Sequence, residues 1–215
     1  YPQPGFVEHD PVEIYDNSVR GILEILKKTK IKTAEIACLA ITNQRETSMI
    51  WDRKTGKPVA NAAVWQCQRG VPSCENLKKQ GYSEKIREKT GLIIDSYFSA
   101  SKLQWIINNT PGAKEHAKRG DLLAGTMDTW LLWNLTGGRI HSTDYSNACR
   151  TMLFNIRTLQ WDEELIKLFD LYPSMFPVVR YSDEVFGKVS EPRLKSINGL
   201  PVAGLIGDSH GALFG

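Results

Sequence analysis

The chain has 215 residues, 41% of them hydrophobic and 24% charged, which supplies a sizeable core and the charge density of a globular protein. Its net charge of +3 is spread without a basic block, so a nucleic-acid partner is not indicated. No apolar run reaches the roughly 18 residues that a membrane-spanning helix needs. Cys38, Cys67, Cys74 and Cys149 are scattered, without the short paired spacing of a zinc site, and point to a reducing, cytoplasmic compartment.

In chain order, Asp10-Pro11-Val12-Glu13 reads as a helix start, with Asp10 as N-cap, Pro11 in the first turn and a Glu three places after the cap. Tyr15, Val19, Ile22 and Leu26 then share one face, which predicts a helix packed on a sheet. Ala34 to Thr42 predicts a buried strand with Cys38 in the core. At its end Asn43, Gln44, Arg45 and Glu46 arrive in succession. Thr47 to Trp51 resumes as strand, and Asp52 to Lys57 is a polar hairpin turn. Ala62 to Trp65 extends to a second polar end, Gln66-Cys67-Gln68-Arg69.

Helical patterns follow over Cys74 to Gln80, from a Ser83 cap to Gly91, and over Ser99 to Asn109, with the loop Leu92 to Phe98 between the last two. Ala113 to Arg119 is a short basic helix. Leu122 to Gly125 reads as strand and Trp130 to Leu135 as a helix capped by Thr126 or Asp128. Ile140 to Arg150 reads as polar and irregular, with His141 and the earlier His116 solvated. Met152 to Ile156 predicts a strand and Trp161 to Leu171 a helix. A loop-rich stretch leads to a last strand, Val202 to Ile206, which ends in Gly207-Asp208-Ser209-His210-Gly211. Strands and helices interleave without internal repeats, and the fold class is α/β.

Strand ends in such folds open onto the crevice where ligands sit. Arg45 donates and Glu46 accepts, so the pair suits a small polyhydroxyl compound, although a charged surface turn would read the same way. Asp208 lies between glycines that let the backbone turn and a ligand approach. Its carboxylate could take a proton from a hydroxyl, or hold a divalent ion through water, or merely cap the helix that follows. Asp208-Ser209-His210 is not a hydrolytic triad, because triad members come from distant segments. No Walker-type loop is present. From the residues alone the chain is an α/β crevice binder of a polar small molecule, acting through Asp208.

Several longer stretches go further. Tyr1 to Pro11, Ile41-Thr42-Asn43-Gln44-Arg45-Glu46-Thr47, Tyr97 to Asn109 (the sequence YFSASKLQWIINN), Gly125 to Trp133 and Thr143 to Asn155 together resemble the glycerol kinases of the FGGY carbohydrate kinase family, in order and nearly end to end. The resemblance implies an actin-like, ribonuclease-H-like fold in two domains that phosphorylates glycerol with ATP and Mg2+. It implies that Arg45 and Glu46 hold glycerol hydroxyls, that Tyr97 adds a hydrogen bond and that Trp65 packs on the carbon chain. Asp208 becomes the general base and a magnesium ligand. Ser209 stands where the family usually has a Gln that reaches the substrate, and Ser96 where it has Pro. Ser209 keeps open a kinase for another polyol or sugar. Family members also imply a dimer or tetramer.

The chain opens on Tyr1-Pro2-Gln3-Pro4-Gly5 and ends on Ala212-Leu213-Phe214-Gly215 as an apolar run begins. The expectation is therefore a partial N-terminal substrate domain over residues 1–215, without the family's opening phosphate-loop hairpin or its nucleotide-binding second domain. Such a piece is expected to transfer no phosphate alone, and a non-catalytic polyol-binding remnant is the alternative reading.

Overall fold

The computed structural model describes residues 1–214; Gly215, at the end of the final apolar run, lies outside them. The chain begins with β1 (Glu8–His9) and α1 (Pro11–Thr29). The Asp10 carboxylate caps α1 by accepting from the Val12 and Glu13 amides, as the sequence predicts. Next come β2 (Leu39–Asn43), β3 (Ser48–Asp52) and β4 (Ala62–Ala63). A helical layer follows: α2 (Val71–Lys79), α3 (Ser83–Thr90), α4 (Ser99–Asn109) and α5 (Ala113–Lys118). Then β5 (Leu122–Thr126) leads directly into α6 (Met127–Leu135), and β6 (Ser142–Asp144) into α7 (Tyr145–Ala148). The last third holds β7 (Phe154–Asn155), β8 (Gln160–Trp161), α8 (Glu163–Leu168), β9 (Val178–Arg180), β10 (Val185–Lys188), β11 (Pro201–Gly207) and α9 (Asp208–Phe214).

Two sheets organise the fold. One has the order β1-β4-β3-β5 and the other β10-β11-β2. In the first, β3 pairs antiparallel with β5 from Ser48 opposite Thr126 to Asp52 opposite Leu122, and every residue from Ser48 to Trp51 is buried. Ile50, Leu103, Ile106, Leu122, Ala124 and Phe169 form the core on one side of this sheet. Met49, Trp51, Leu123 and Trp130 form a smaller aromatic core on the other, with Trp51 and Trp130 edge to face at 5.4 Å.

In the second sheet, β2 and β11 run parallel, with Ile41 beside Leu205, Thr42 beside Ile206 and Asn43 beside Gly207. Tyr15, Val19, Ile22 and Leu26 of α1 pack on this sheet, as their spacing predicts. The parallel register brings the carboxyl ends of β2 and β11 side by side although most of the chain separates them.

Three expectations need correction. The segment around β2 is half-buried: Leu39, Ile41 and Asn43 face inward while Ala40 and Thr42 are exposed. Cys38 falls on that outer face and is exposed, because side chains alternate along a strand. Residues 140–150 are not irregular but contain β6 and α7; Ser142, Thr143, Asp144, Asn147 and Ala148 are buried and the rest half-buried. Their polar side chains satisfy one another, so polarity there does not mean solvation. His141 lies against Trp51 and Trp133 at 5.4 and 6.1 Å, its Nε2 3.1 Å from the Ala124 carbonyl. Burial pushes its pKa down to about 4. His116 is solvent-facing beside Asp121, as expected.

Smaller differences concern ends. The helix expected over Trp161 to Leu171 is confined to Glu163–Leu168, since Trp161 belongs to β8 and Asp162 is the N-cap. The strand expected over Met152 to Ile156 is limited to Phe154–Asn155.

Candidate functional site

The turn after β2 carries the donor and acceptor. Glu46 adopts the left-handed backbone region at φ 62°, and the Thr47 amide donates to the Arg45 carbonyl at 2.8 Å. A non-glycine residue in that region carries strain of order 1–3 kcal/mol, which clusters at functional turns. The tight turn sends Glu46 inward, where it is buried, and Arg45 across to the end of β11. Arg150 donates through Nε to Glu46 Oε1 at 2.6 Å and stacks over Phe98 at 4.8 Å and Tyr97 at 5.7 Å. One carboxylate oxygen is thereby occupied and the group oriented.

On the β11 side, Arg45 donates through Nη2 to the Ser209 hydroxyl at 2.7 Å, and its Nε stands 3.7 Å from Asp208 Oδ1. That Nε is buried and has no hydrogen-bond partner of its own. Asp208 is the first residue of α9, and its Oδ1 accepts from the Ser209 amide. The capping expected of it is thus confined to the adjacent amide, and the carboxylate remains 56% exposed and free to meet a ligand. The Ser146 hydroxyl of α7 accepts the Gly207 amide at 2.8 Å and fixes the backbone just before Asp208.

The third edge is aromatic. Trp65, after β4, and Tyr97, before α4, lie with ring centroids 5.3 Å apart. The Tyr97 amide donates to Asp95 Oδ1 at 2.8 Å. Through Arg150 this pair is continuous with Glu46. The structure therefore links Arg45, Glu46, Trp65, Tyr97, Asp208 and Ser209 through a continuous chain of contacts, with Glu46 buried within it. Arg69, the cation expected beside Trp65, does not join it. It is buried between the rings of Phe6 and Trp105, each 4.6 Å away, and pairs with Glu8 at 2.5 Å.

Behind the strand ends lies a buried polar network. Asn43 donates to Asn147 Oδ1 at 3.0 Å and to Asp128 Oδ1 at 3.3 Å. Asp128 also accepts from the Thr126 and Thr143 hydroxyls. Burial pushes the Asp128 pKa up to about 6 against those hydrogen bonds. Asp144 caps α7 by accepting from the Ser146 and Asn147 amides. Asp128, expected only as a possible cap of α6, lies inside that helix, whose N-cap is Thr126, and Asp144, Asn147 and Arg150 had no expected role. Their signal was present, since all lie inside the long matching stretches, but nothing in the local pattern said that their polar groups face one another.

Magnesium is the implied metal. It takes hard oxygen ligands, keeps several waters and needs only one or two carboxylates beside substrate phosphates. The exposed Asp208 carboxylate fits one such ligand, and the described residues hold no cluster of three His, Cys, Asp or Glu that would form an all-protein cage.

Comparison with known proteins places this surface in context. The FGGY family of carbohydrate kinases, N-terminal domain, matches residues 1–215. A glycerol kinase of Thermotoga maritima (glycerol kinase 2) is 52% identical over the whole of this chain, which covers 43% of that relative. A glycerol kinase of Aliivibrio salmonicida is 53% identical, and the chain covers 42% of it. The structure of Plasmodium falciparum glycerol kinase with ADP superposes with a TM-score of 0.88 at 39% identity, over 98% of this chain and 42% of that one. The chain thus spans less than half the length of these relatives.

Proposed function

The chain belongs to the FGGY family of carbohydrate kinases, and from that premise we propose that the protein carrying it phosphorylates glycerol with ATP to glycerol 3-phosphate. In this reading residues 1–215 form the substrate-binding N-terminal domain and supply the base, while a second domain holds the nucleotide. The observation that carries it is the unpartnered, buried Nε of Arg45 facing the exposed Asp208 carboxylate across 3.7 Å. A hydroxyl bound there accepts from Arg45 while its own proton points at Asp208.

Each residue then has a task. Arg45 donates to one glycerol hydroxyl and the free oxygen of Glu46 accepts from another. The Trp65 face covers the carbon chain, and Tyr97 closes that side. Asp208 takes the proton of the attacking hydroxyl, a step worth roughly 10²–10⁴-fold in rate. Magnesium, when bound, neutralises charge on the transferred phosphoryl group, with Asp208 as its protein oxygen ligand. The four cysteines are free thiols, which suits a cytoplasmic enzyme. No described helix is long and apolar enough to cross a membrane. Assembly as a dimer or tetramer is proposed on family resemblance alone.

A second reading has one specific observation behind it. The Ser209 hydroxyl is engaged by Arg45 and its side chain is short, which leaves room beside the polyol for a longer substrate. The complete protein should be assayed with glycerol, erythritol and pentuloses at matched concentrations. A higher kcat/KM for glycerol is expected; no preference for glycerol sinks the first reading in favour of the second.

A further inference from the structure

The sequence YFSASK at the start of α4 carries a lysine that the reading above leaves idle. Lys102 is wholly buried, in the helix that follows the Tyr97 loop. Its ammonium donates to the carbonyls of Ser96 at 2.9 Å, Tyr97 at 2.5 Å and Phe98 at 2.8 Å. An ammonium has three N–H donors, and three consecutive carbonyls take all of them. These carbonyls belong to the turn that enters α4, so without Lys102 three buried or half-buried acceptors would converge with no donor between them. The same turn carries the Tyr97 ring against Trp65 and the Phe98 ring against Arg150.

We propose that Lys102 is a positioning residue for the polyol site, gathering the carbonyls of residues 96–98 so that Tyr97 is held against Trp65 at the distance the substrate requires. The proposal rests on the reading that Tyr97 and Trp65 contact the polyol. It adds a residue that never touches substrate yet sets where the aromatic wall stands. A cation is needed because it satisfies all three carbonyls at once; a neutral amine has only two hydrogens. Burial opposes the ammonium and pushes its pKa down to about 7, while Glu46, Cys67, Cys74 and Asp95 favour it, and the Arg150 guanidinium stands over the Phe98 ring of the same turn.

The test uses the complete kinase. Lys102→Met, which keeps the stem and removes the charge, is expected to raise KM for glycerol about 10- to 100-fold, the cost of misplacing a binding group by an ångström or less. KM for ATP is expected to stay near wild type. Tyr97→Ala should raise the glycerol KM too, and the double variant should be no worse than Tyr97→Ala alone, because both act through one ring. Additive losses, or an unchanged glycerol KM in Lys102→Met beside a raised one in Tyr97→Ala, overturn the proposal. An unchanged KM in Tyr97→Ala removes instead the site reading on which it rests.

If Lys102→Met does not fold, glycerol binding to the wild-type protein is measured by calorimetry from about pH 6 to about pH 9, bracketing the amine titration. Affinity is expected to weaken as pH rises through about 7, and this dependence should vanish in Tyr97→Ala. A flat profile, or the same titration persisting without the Tyr97 ring, overturns the proposal.

Discussion

Arg45 reaches Asp208 and Ser209 at once, its Nε 3.7 Å from the carboxylate and its Nη2 2.7 Å from the hydroxyl. The carboxylate is more than half exposed, so the ion pair itself stabilises the fold little. The arrangement instead aims a donor and an acceptor at one point, which is what a hydroxyl about to lose its proton requires. In the complete protein, Asp208→Asn should lower kcat roughly 10²–10⁴-fold while leaving KM for glycerol near wild type. Steady-state kinetics decide this, and turnover near wild type would show that Asp208 is not the base.

Gly207 serves Arg45 rather than the ligand. A Cβ there would press against the Arg45 side chain, inside contact distance of Cδ and 2.9 Å from Cγ. The expectation that this glycine lets a ligand approach is therefore replaced by a close approach between two protein segments. Gly207→Ala should swing the guanidinium away and raise KM for glycerol about tenfold, the loss of one charge-assisted hydrogen bond. Glycerol titration against a folded variant, checked by circular dichroism, gives the answer; an unchanged KM would mean that Arg45 does not bind the substrate.

Arg150 and Glu46 form a pair in which the carboxylate is buried and the guanidinium partly so. Arg150→Met leaves that carboxylate without its cation and should cost about 1.5–3 kcal/mol of stability, the range for hydrogen bonds to charged groups. It should also weaken glycerol binding, since Glu46 loses its orientation. Glu46→Gln removes the charge but keeps an acceptor, and should weaken binding with a smaller stability loss. Denaturation midpoints and glycerol affinities of the two variants, taken together, separate orientation from charge. Equal stability losses would argue against the pairing.

Burial of His141 should give the fold a pH dependence. Its folded pKa of about 4 lies below the ordinary 6.5, so its contribution is present above pH 6.5 and is lost as pH falls through 4. At about 1.4 kcal/mol per unit this amounts to about 3 kcal/mol. Asp128 acts in the opposite direction: its folded pKa of about 6 exceeds the ordinary 3.8, so its contribution is present below 3.8 and lost as pH rises through 6. The two oppose each other over nearly the same window. Urea denaturation of wild type and His141→Gln at pH 7 and pH 5, chosen inside that window, isolates the histidine. The variant should lose less stability on acidification than wild type; equal losses would place His141 in solvent.

Much of the fold is legible in local pattern. The Asp10 cap, the α1 face, the span of α4 and the existence of β3, β5 and β11 follow from short-range rules, because caps and amphipathic periods are fixed by the backbone geometry of a few neighbouring residues. Of the candidate site residues, Arg45, Glu46 and Tyr97 lie in the stretches that carry the family resemblance, while Asp208 stands out as the polar end of the last strand and Trp65 as the start of a second polar strand end. Where local polarity was the only guide, it misled: residues 140–150, His141 among them, are polar yet buried or half-buried, and Cys38 is apolar in context yet exposed.

Local pattern sets which residue types stand at each strand end and which helices follow them. That these ends meet is a consequence of long-range packing. The parallel register of β2 with β11 sets Asn43 beside Gly207, and so Arg45 beside Asp208. Arg150 joins Glu46 to the Tyr97 ring, and Lys102 ties down the turn that bears it. Pairing between distant strands and the mutual satisfaction of buried polar groups are set by the packing of the whole chain, where burying a charge without its partner costs more than any local propensity returns.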